Sequence, residues 1–304
     1  MSTKAGRTRV LSALGALVGV LGVAFVVRTL VTRRAEVGDA LAQLDAVSLV
    51  GSVALGLAAM TMIGSLWVRM LRVRGQHAPG RRAMSWYFVG QLGKYVPGGI
   101  WPIVGRAELA VRGGANRADA YVATGLSMTA TYTAGAIVIA ASSLLSGSYV
   151  LIGVALALGL VVTLSMLAVP AAARRVETAV LRVTRRTITL PAAGRLAAVV
   201  AVHVPVWLLM SFSTSFTAGA LGAHVSILDM VFFTSASWLA GFVVIGVPGG
   251  IGVRESVFTA LAGSQMGAPI AVTLALASRV VFIAVDLIGA AIASAVAALA
   301  SPER

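Results

Sequence analysis

Charged residues stand in several stretches that are otherwise apolar: Lys94, Arg106 and Glu108, then Arg254 and Glu255, then Arg279 and Asp286. A charge inside an apolar segment is costly and marks a functional site by default. Arginine binds phosphate through two parallel N–H bonds, and the free N–H groups at a helix start favour anions. Lys94, Arg106, Arg254 and Arg279 are therefore the candidates for holding a phosphate, and a phosphate-bearing lipid head group fits such a site. Glu108, Glu255 and Asp286 are the candidates for balancing that charge or coupling to protons. Arg279 and Asp286 are seven residues apart, which puts them on one helical face. A milder alternative stands beside this reading. Arg106 with Glu108 and Arg254 with Glu255 are also suited to neutralising structural partners, and Arg279 and Asp286 to pairing with these or with each other. Tyr95 and Trp101 fit interface anchors rather than ligand contacts. Gln91, Ser235 and Ser237 fit either a cavity lining or bonds between helices.

Other chemistries find few residues to carry them. There are no cysteines, so disulfides, thiolate ligands and cysteine nucleophiles are excluded. His77, His203 and His224 are far apart and show no ligand spacing. The carboxylates near the interior are Glu108, Asp119, Glu255 and Asp286, and no pair has metal-binding spacing. The glycine-rich runs lack the Lys-Ser/Thr of a nucleotide loop. No catalytic residue, metal site or cofactor is expected, and the chain is not expected to be an enzyme. An intramembrane lipid-modifying enzyme using Glu108 or Glu255 is kept as a rival.

These residues need elements to position them, and composition says what kind. Of the 304 residues, 59% are hydrophobic and 11% charged, with a mean hydropathy of +0.95. A soluble domain is about 25% charged and could not bury so much apolar surface in one core. The fold class expected is an all-α polytopic membrane protein, with residues 1–304 forming one integral membrane domain. The net charge of +14 sits between apolar runs. It is read as a topology signal and as contact with anionic lipid heads, not as nucleic-acid binding.

The uncharged stretch 10–27 is long enough to span and is read as a retained first helix, not a signal peptide. A second span covers 46–68. No charge appears from 120 to 173, which is too long for one helix and must fold back, with the turn at Ser146-Gly147-Ser148. Further spans cover 196–221 and 270–299. The basic stretch with Arg174, Arg175, Arg182, Arg185, Arg186 and Arg195 places Val176, Val180 and Val183 on one helical face. It is either a surface helix or a solvated loop. Lys4, Arg7 and Arg9 precede the first span, and arginine-rich loops follow the second and fourth. The positive-inside rule then puts both termini in the cytoplasm, against the signal of Arg33 and Arg34.

This topology requires segments 84–117 and 228–265 each to enter and leave on one side. Both are broken. Val96-Pro97-Gly98-Gly99-Ile100 recurs as Val247-Pro248-Gly249-Gly250-Ile251, 151 residues later, and each copy is followed by a glycine, an arginine and a glutamate. Proline removes a donor and clashes with the preceding turn, and glycine permits positive φ, so each motif stops a helix. Broken backbone at membrane depth is tolerated only inside protein or beside a wet cavity. The expectation is about six full spans plus two re-entrant helical hairpins in an inverted repeat, with halves of roughly 1–150 and 151–304. Eight full spans is the alternative.

Residues 90–114, GQLGKYVPGGIWPIVGRAELAVRGG, and 246–263, GVPGGIGVRESVFTALAG, resemble the two signature regions of the lysylphosphatidylglycerol synthase transmembrane-region family. That family includes the flippase part of the multiple peptide resistance factor and many stand-alone membrane proteins. The resemblance implies an inner-membrane protein with about eight hydrophobic segments and a link to lipid flipping. Synthase activity belongs to a soluble C-terminal domain in the bifunctional relatives and is not expected of this chain. The function expected is therefore a flippase for a phosphate-bearing lipid, either an aminoacyl-phospholipid or a polyprenyl-phosphate-linked glycan. The alternative is a non-transporting subunit that presents such a lipid to a separate transferase partner.

Overall fold

A computed structural model describes residues 31, 35, 45–95, 100–168, 178, 193–244 and 247–299. The helix expected at 10–27, most of the basic stretch after residue 173, and Pro97, Gly98 and Gly99 lie outside the described residues. Among the described residues all regular structure is helical. In chain order the elements are α1 (Ala46–Val73), α2 (Gly80–Gln91), a 3-10 turn (Leu92–Tyr95), α3 (Trp101–Arg112), α4 (Arg117–Ser146) and α5 (Val150–Ala168). There follow α6 (Ala193–Ala201), α7 (Val204–Ala220), α8 (Ile227–Val243), a 3-10 turn (Pro248–Gly250), α9 (Val253–Met266) and α10 (Ala268–Leu299).

Helices α1, α4 and α10, and the α6–α7 run from Gly194 to Ala220, are each long and apolar enough to cross a membrane. The chain is a polytopic α-helical membrane protein. Within the uncharged stretch 120–173, the described residues 120–168 fold back as expected, with Gly147 (φ 71°) ending α4 in the left-handed region. Two boundaries differ from the sequence reading. Helix α1 continues to Val73 and carries Arg69 and Arg72 within it, not in a loop. Arginines near a helix C-terminus complement its dipole, and Arg72 also donates to the Ala78 carbonyl at 2.9 Å, closing the turn into α2. The span expected at 196–221 is interrupted at Val202-His203, because Pro205 lacks the N–H that an unbroken helix needs.

Helix α1 starts where the Asp45 carboxylate accepts from the backbone N–H groups of Ser48 and Val47. Hydrogen bonds from Ser48, side chain and backbone, hold Asp45 below its ordinary pKa. At the same end Asp45 N–H donates to the Ala220 carbonyl, so α1 and α7 run antiparallel. Their seam is polar and close. Ser52 Oγ donates to the Ser213 carbonyl at 2.7 Å and lies 2.8 Å from Thr217 Oγ1, while Ser213 Oγ donates to the Ser52 carbonyl. Lipid offers no hydrophobic drive between helices, so small residues and such hydroxyl bonds hold the pair.

Two hairpins are packed on this frame. In the first, α3 folds back on α2, with Gly90 against Arg106 and Gly113 against Trp86. In the second, α9 folds back on α8, with Gly241 against Arg254 and the Phe233 and Phe258 rings 6.3 Å apart. The first hairpin has its base at the C-terminal end of α1, where Arg74 and Gln76 bind Asp119 and Gln76 caps Asn116 N–H. The second has its base at the opposite end, beside Ala220 and Asp45. Each first limb rests on the long helix of the other half of the chain: α2 on α10, with Phe88 against Gly289, and α8 on α4, with Phe242 stacked on Tyr132. A limb of 12 residues such as α2 or α3 reaches about 18 Å, well short of a hydrocarbon core of about 30 Å.

Candidate functional site at the hairpin tips

Entering from opposite ends, the hairpins meet tip to tip. Gly249 lies against the Lys94 carbonyl and the Tyr95 ring. The second tip is a 3-10 turn in which Gly249 (φ 54°) and Gly250 (φ 68°) take the left-handed region, which side chains resist. Helix α9 restarts where Glu255 reaches back one turn: Gly252 N–H donates to Glu255 Oε2 at 2.7 Å.

Helix α10 runs past both tips and links them. Arg279 Nη1 is 2.7 Å from Glu255 Oε1 and also donates to the Gly249 carbonyl at 3.3 Å. Two turns further on, Asp286 Oδ2 takes Lys94 Nζ at 2.6 Å and the Tyr95 hydroxyl. Asp286 is fully buried, and its Oδ1 has no partner. One face of α10 therefore serves both hairpins, as the seven-residue spacing predicts.

Arg254 differs from these paired groups. Its guanidinium lies on the Trp238 ring, 3.4 Å from the centroid, and its Nε is enclosed without a partner. Among the described residues no carboxylate forms an ion pair with it. It borders a small cavity lined by the Thr214, Thr234, Ser237 and Ser278 hydroxyls and Glu255, with Trp238, Phe258 and Ala275 as its apolar part. The buried Thr234 hydroxyl there is also unpartnered. At the tips, three cations (Lys94, Arg254, Arg279) face two carboxylates (Glu255, Asp286), which leaves one positive charge unmatched.

The other candidates lie elsewhere. Arg106 sits within the first hairpin, over the Tyr87 ring, with Nε donating to the Pro102 carbonyl. Glu108 points away from the tips and takes a two-pronged bond from Arg117, at 2.6 and 3.0 Å, and the Tyr121 hydroxyl. Tyr95, expected as an interface anchor, is part of the charged cluster. Ser237 lines the cavity while donating to the Thr234 carbonyl, and Gln91 and Ser235 are buried. Among the described residues no group of histidines and carboxylates is arranged to hold a metal.

Sequence reading missed the seats of the two arginines. Arg106 lies over Tyr87 and crosses Gly90; Arg254 lies over Trp238 and crosses Gly241. Tyr87 and Trp238, like Gly90 and Gly241, are again 151 residues apart. Extending the VPGGI repeat upstream at its own offset would have found them.

The sequence profile of the lysylphosphatidylglycerol synthase TM region family matches residues 12–290. The chain belongs to that family. Comparison with curated proteins finds no match.

Proposed function

We propose that this protein binds the phosphate of a membrane lipid at the meeting point of the hairpin tips and flips it across the bilayer. The observation that carries the reading is Arg254, a guanidinium with no carboxylate partner beside a hydroxyl-lined cavity. A phosphodiester supplies one negative charge, which would neutralise the tip cluster, and its oxygens match the guanidinium donors. Lys94 and Arg279 would add contacts when their pairs with Asp286 and Glu255 open. Glu255 and Asp286 would balance charge or carry protons. The family's name, given for the TM region of a lysylphosphatidylglycerol synthase, supports a phosphate-bearing lipid as cargo.

In this reading each hairpin re-enters the membrane from its own side, and the two halves, roughly 1–150 and 151–304, are inverted copies that rock against each other. Three features support it: the antiparallel pairing of α1 with α7, the opposite bases of the hairpins, and the crossed packing of each hairpin on the other half's long helix. The protein would sit in the inner membrane with both termini cytoplasmic. An aminoacyl-phospholipid and a polyprenyl-phosphate-linked glycan both fit the charge.

Native mass spectrometry of the lipids that co-purify with the protein tests the binding step. Wild type should retain a defined phosphate lipid, and Arg254→Ala should lose about tenfold or more of it, the worth of a charged hydrogen bond. Equal retention by a well-folded Arg254→Ala protein would remove Arg254 from the site.

A further inference from the structure

We infer that the protein has two anion seats, one in each hairpin, and that Arg106 with Tyr87 forms the second, apart from the Arg254 cluster. This deepens the lipid-phosphate reading and rests on it. Arg106 is only 4% exposed, yet among the described residues no carboxylate pairs with it. The nearest in sequence, Glu108, is committed to Arg117 and Tyr121. Among the described residues Arg106 makes one hydrogen bond, from Nε to the Pro102 carbonyl at 3.0 Å, which leaves its other donors for a ligand. The ring beneath it belongs to Tyr87, which is fully buried and whose hydroxyl has no partner. A buried guanidinium without a counter-charge and a buried phenol without an acceptor are each unfavourable alone. Side by side they form a donor pair whose complement is an anion with several acceptor oxygens, such as a phosphate.

The repeat makes this seat the counterpart of the other. Both arginines cross a glycine and lie over the aromatic residue three positions before it. A Cβ on Gly90 would fall 2.5 Å from Arg106 Cγ, and one on Gly241 would fall 2.3 Å from Arg254 Cγ. The surroundings then diverge. Arg254 shares its cavity with Glu255, whereas beside Arg106 stands the Tyr87 phenol and, among the described residues, no paired carboxylate.

The test is titration of the purified full-length protein with dioctanoyl-phosphatidylglycerol, counting bound lipids by native mass spectrometry. Wild type should show two bindings that the substitutions affect separately, with Arg106→Ala losing one and Arg254→Ala the other. Tyr87→Phe removes a buried hydroxyl that bonds nothing among the described residues, so it should keep or raise the melting temperature while weakening one binding about tenfold. That variant decides the matter if Arg106→Ala fails to fold. One binding lost equally in either arginine variant would show a single shared seat and overturn the inference while leaving the lipid-phosphate reading intact. Binding unchanged by Arg106→Ala and Tyr87→Phe would make Arg106 structural and overturn it likewise. No binding that depends on either arginine would remove the lipid-phosphate reading itself.

Discussion

At the residue scale the cluster divides by whether each charge already has a partner. Lys94–Asp286 and Arg279–Glu255 are matched, at 2.6 and 2.7 Å, and are nearly withdrawn from the surface. Breaking a buried pair leaves an uncompensated charge, a loss of about 3–5 kcal/mol, whereas replacing both members by apolar groups is often neutral. Asp286→Asn should therefore lower thermal stability markedly. Lys94→Met combined with Asp286→Leu should restore the melting temperature without restoring transport. If the double variant flips lipid normally, the pair is structural only. Arg254 already lacks a carboxylate, so Arg254→Ala should disturb the fold far less than Asp286→Asn. Differential scanning fluorimetry on the variants separates the two cases.

At the element scale the hairpins were the most legible feature. Two copies of VPGGI in apolar surroundings dictate two helix breaks, and the second copy forms the expected turn. The seven-residue spacing of Arg279 and Asp286 put them on one face, and that face of α10 meets both hairpin tips. The break at Val202-His203 was missed, because hydropathy is indifferent to one proline in an apolar run. The aromatic seats were missed because a tyrosine in one copy is a tryptophan in the other, and ring stacking conserves the π-face and not the letter. Glu108 is two residues from Arg106, which along a helix turns its side chain to a different face, and it neutralises Arg117, as the milder alternative allows.

The two hairpin glycines should respond differently to alanine. At Gly241 the clash is with the flexible Arg254 stem at 2.3 and 2.9 Å. The arginine would be displaced and the fold kept, with loss of lipid binding. At Gly90 the clash includes the Arg106 backbone, with N at 2.7 Å and Cα at 3.0 Å. The limbs themselves must separate, at a cost of about 1–3 kcal/mol typical of overpacking. Melting temperatures that fall equally for Gly90→Ala and Gly241→Ala would contradict this distinction.

At the scale of the whole molecule, what matters is inversion. The hairpins have bases at opposite ends of α1 and tips that touch, so the two bases should face opposite sides of the membrane. The chain has no cysteine, so single cysteines report cleanly. His77 and His224 are exposed and lie near the bases of the first and second hairpins. His77→Cys should react with an impermeant maleimide only from the cytoplasmic side, and His224→Cys only from the outside. Labelling of both from one side would rule out the inverted arrangement.

Transport is tested most directly by reconstituting purified protein into liposomes with a fluorescent phosphatidylglycerol and following dithionite quenching of the inner leaflet. Wild type should render most of the label accessible, while Arg254→Ala protein of equal thermal stability should match empty vesicles. Wild-type protein that retains phosphate lipid but leaves the inner-leaflet label protected, across several phosphate lipids, would contradict flipping and favour a subunit that presents its lipid to a separate transferase.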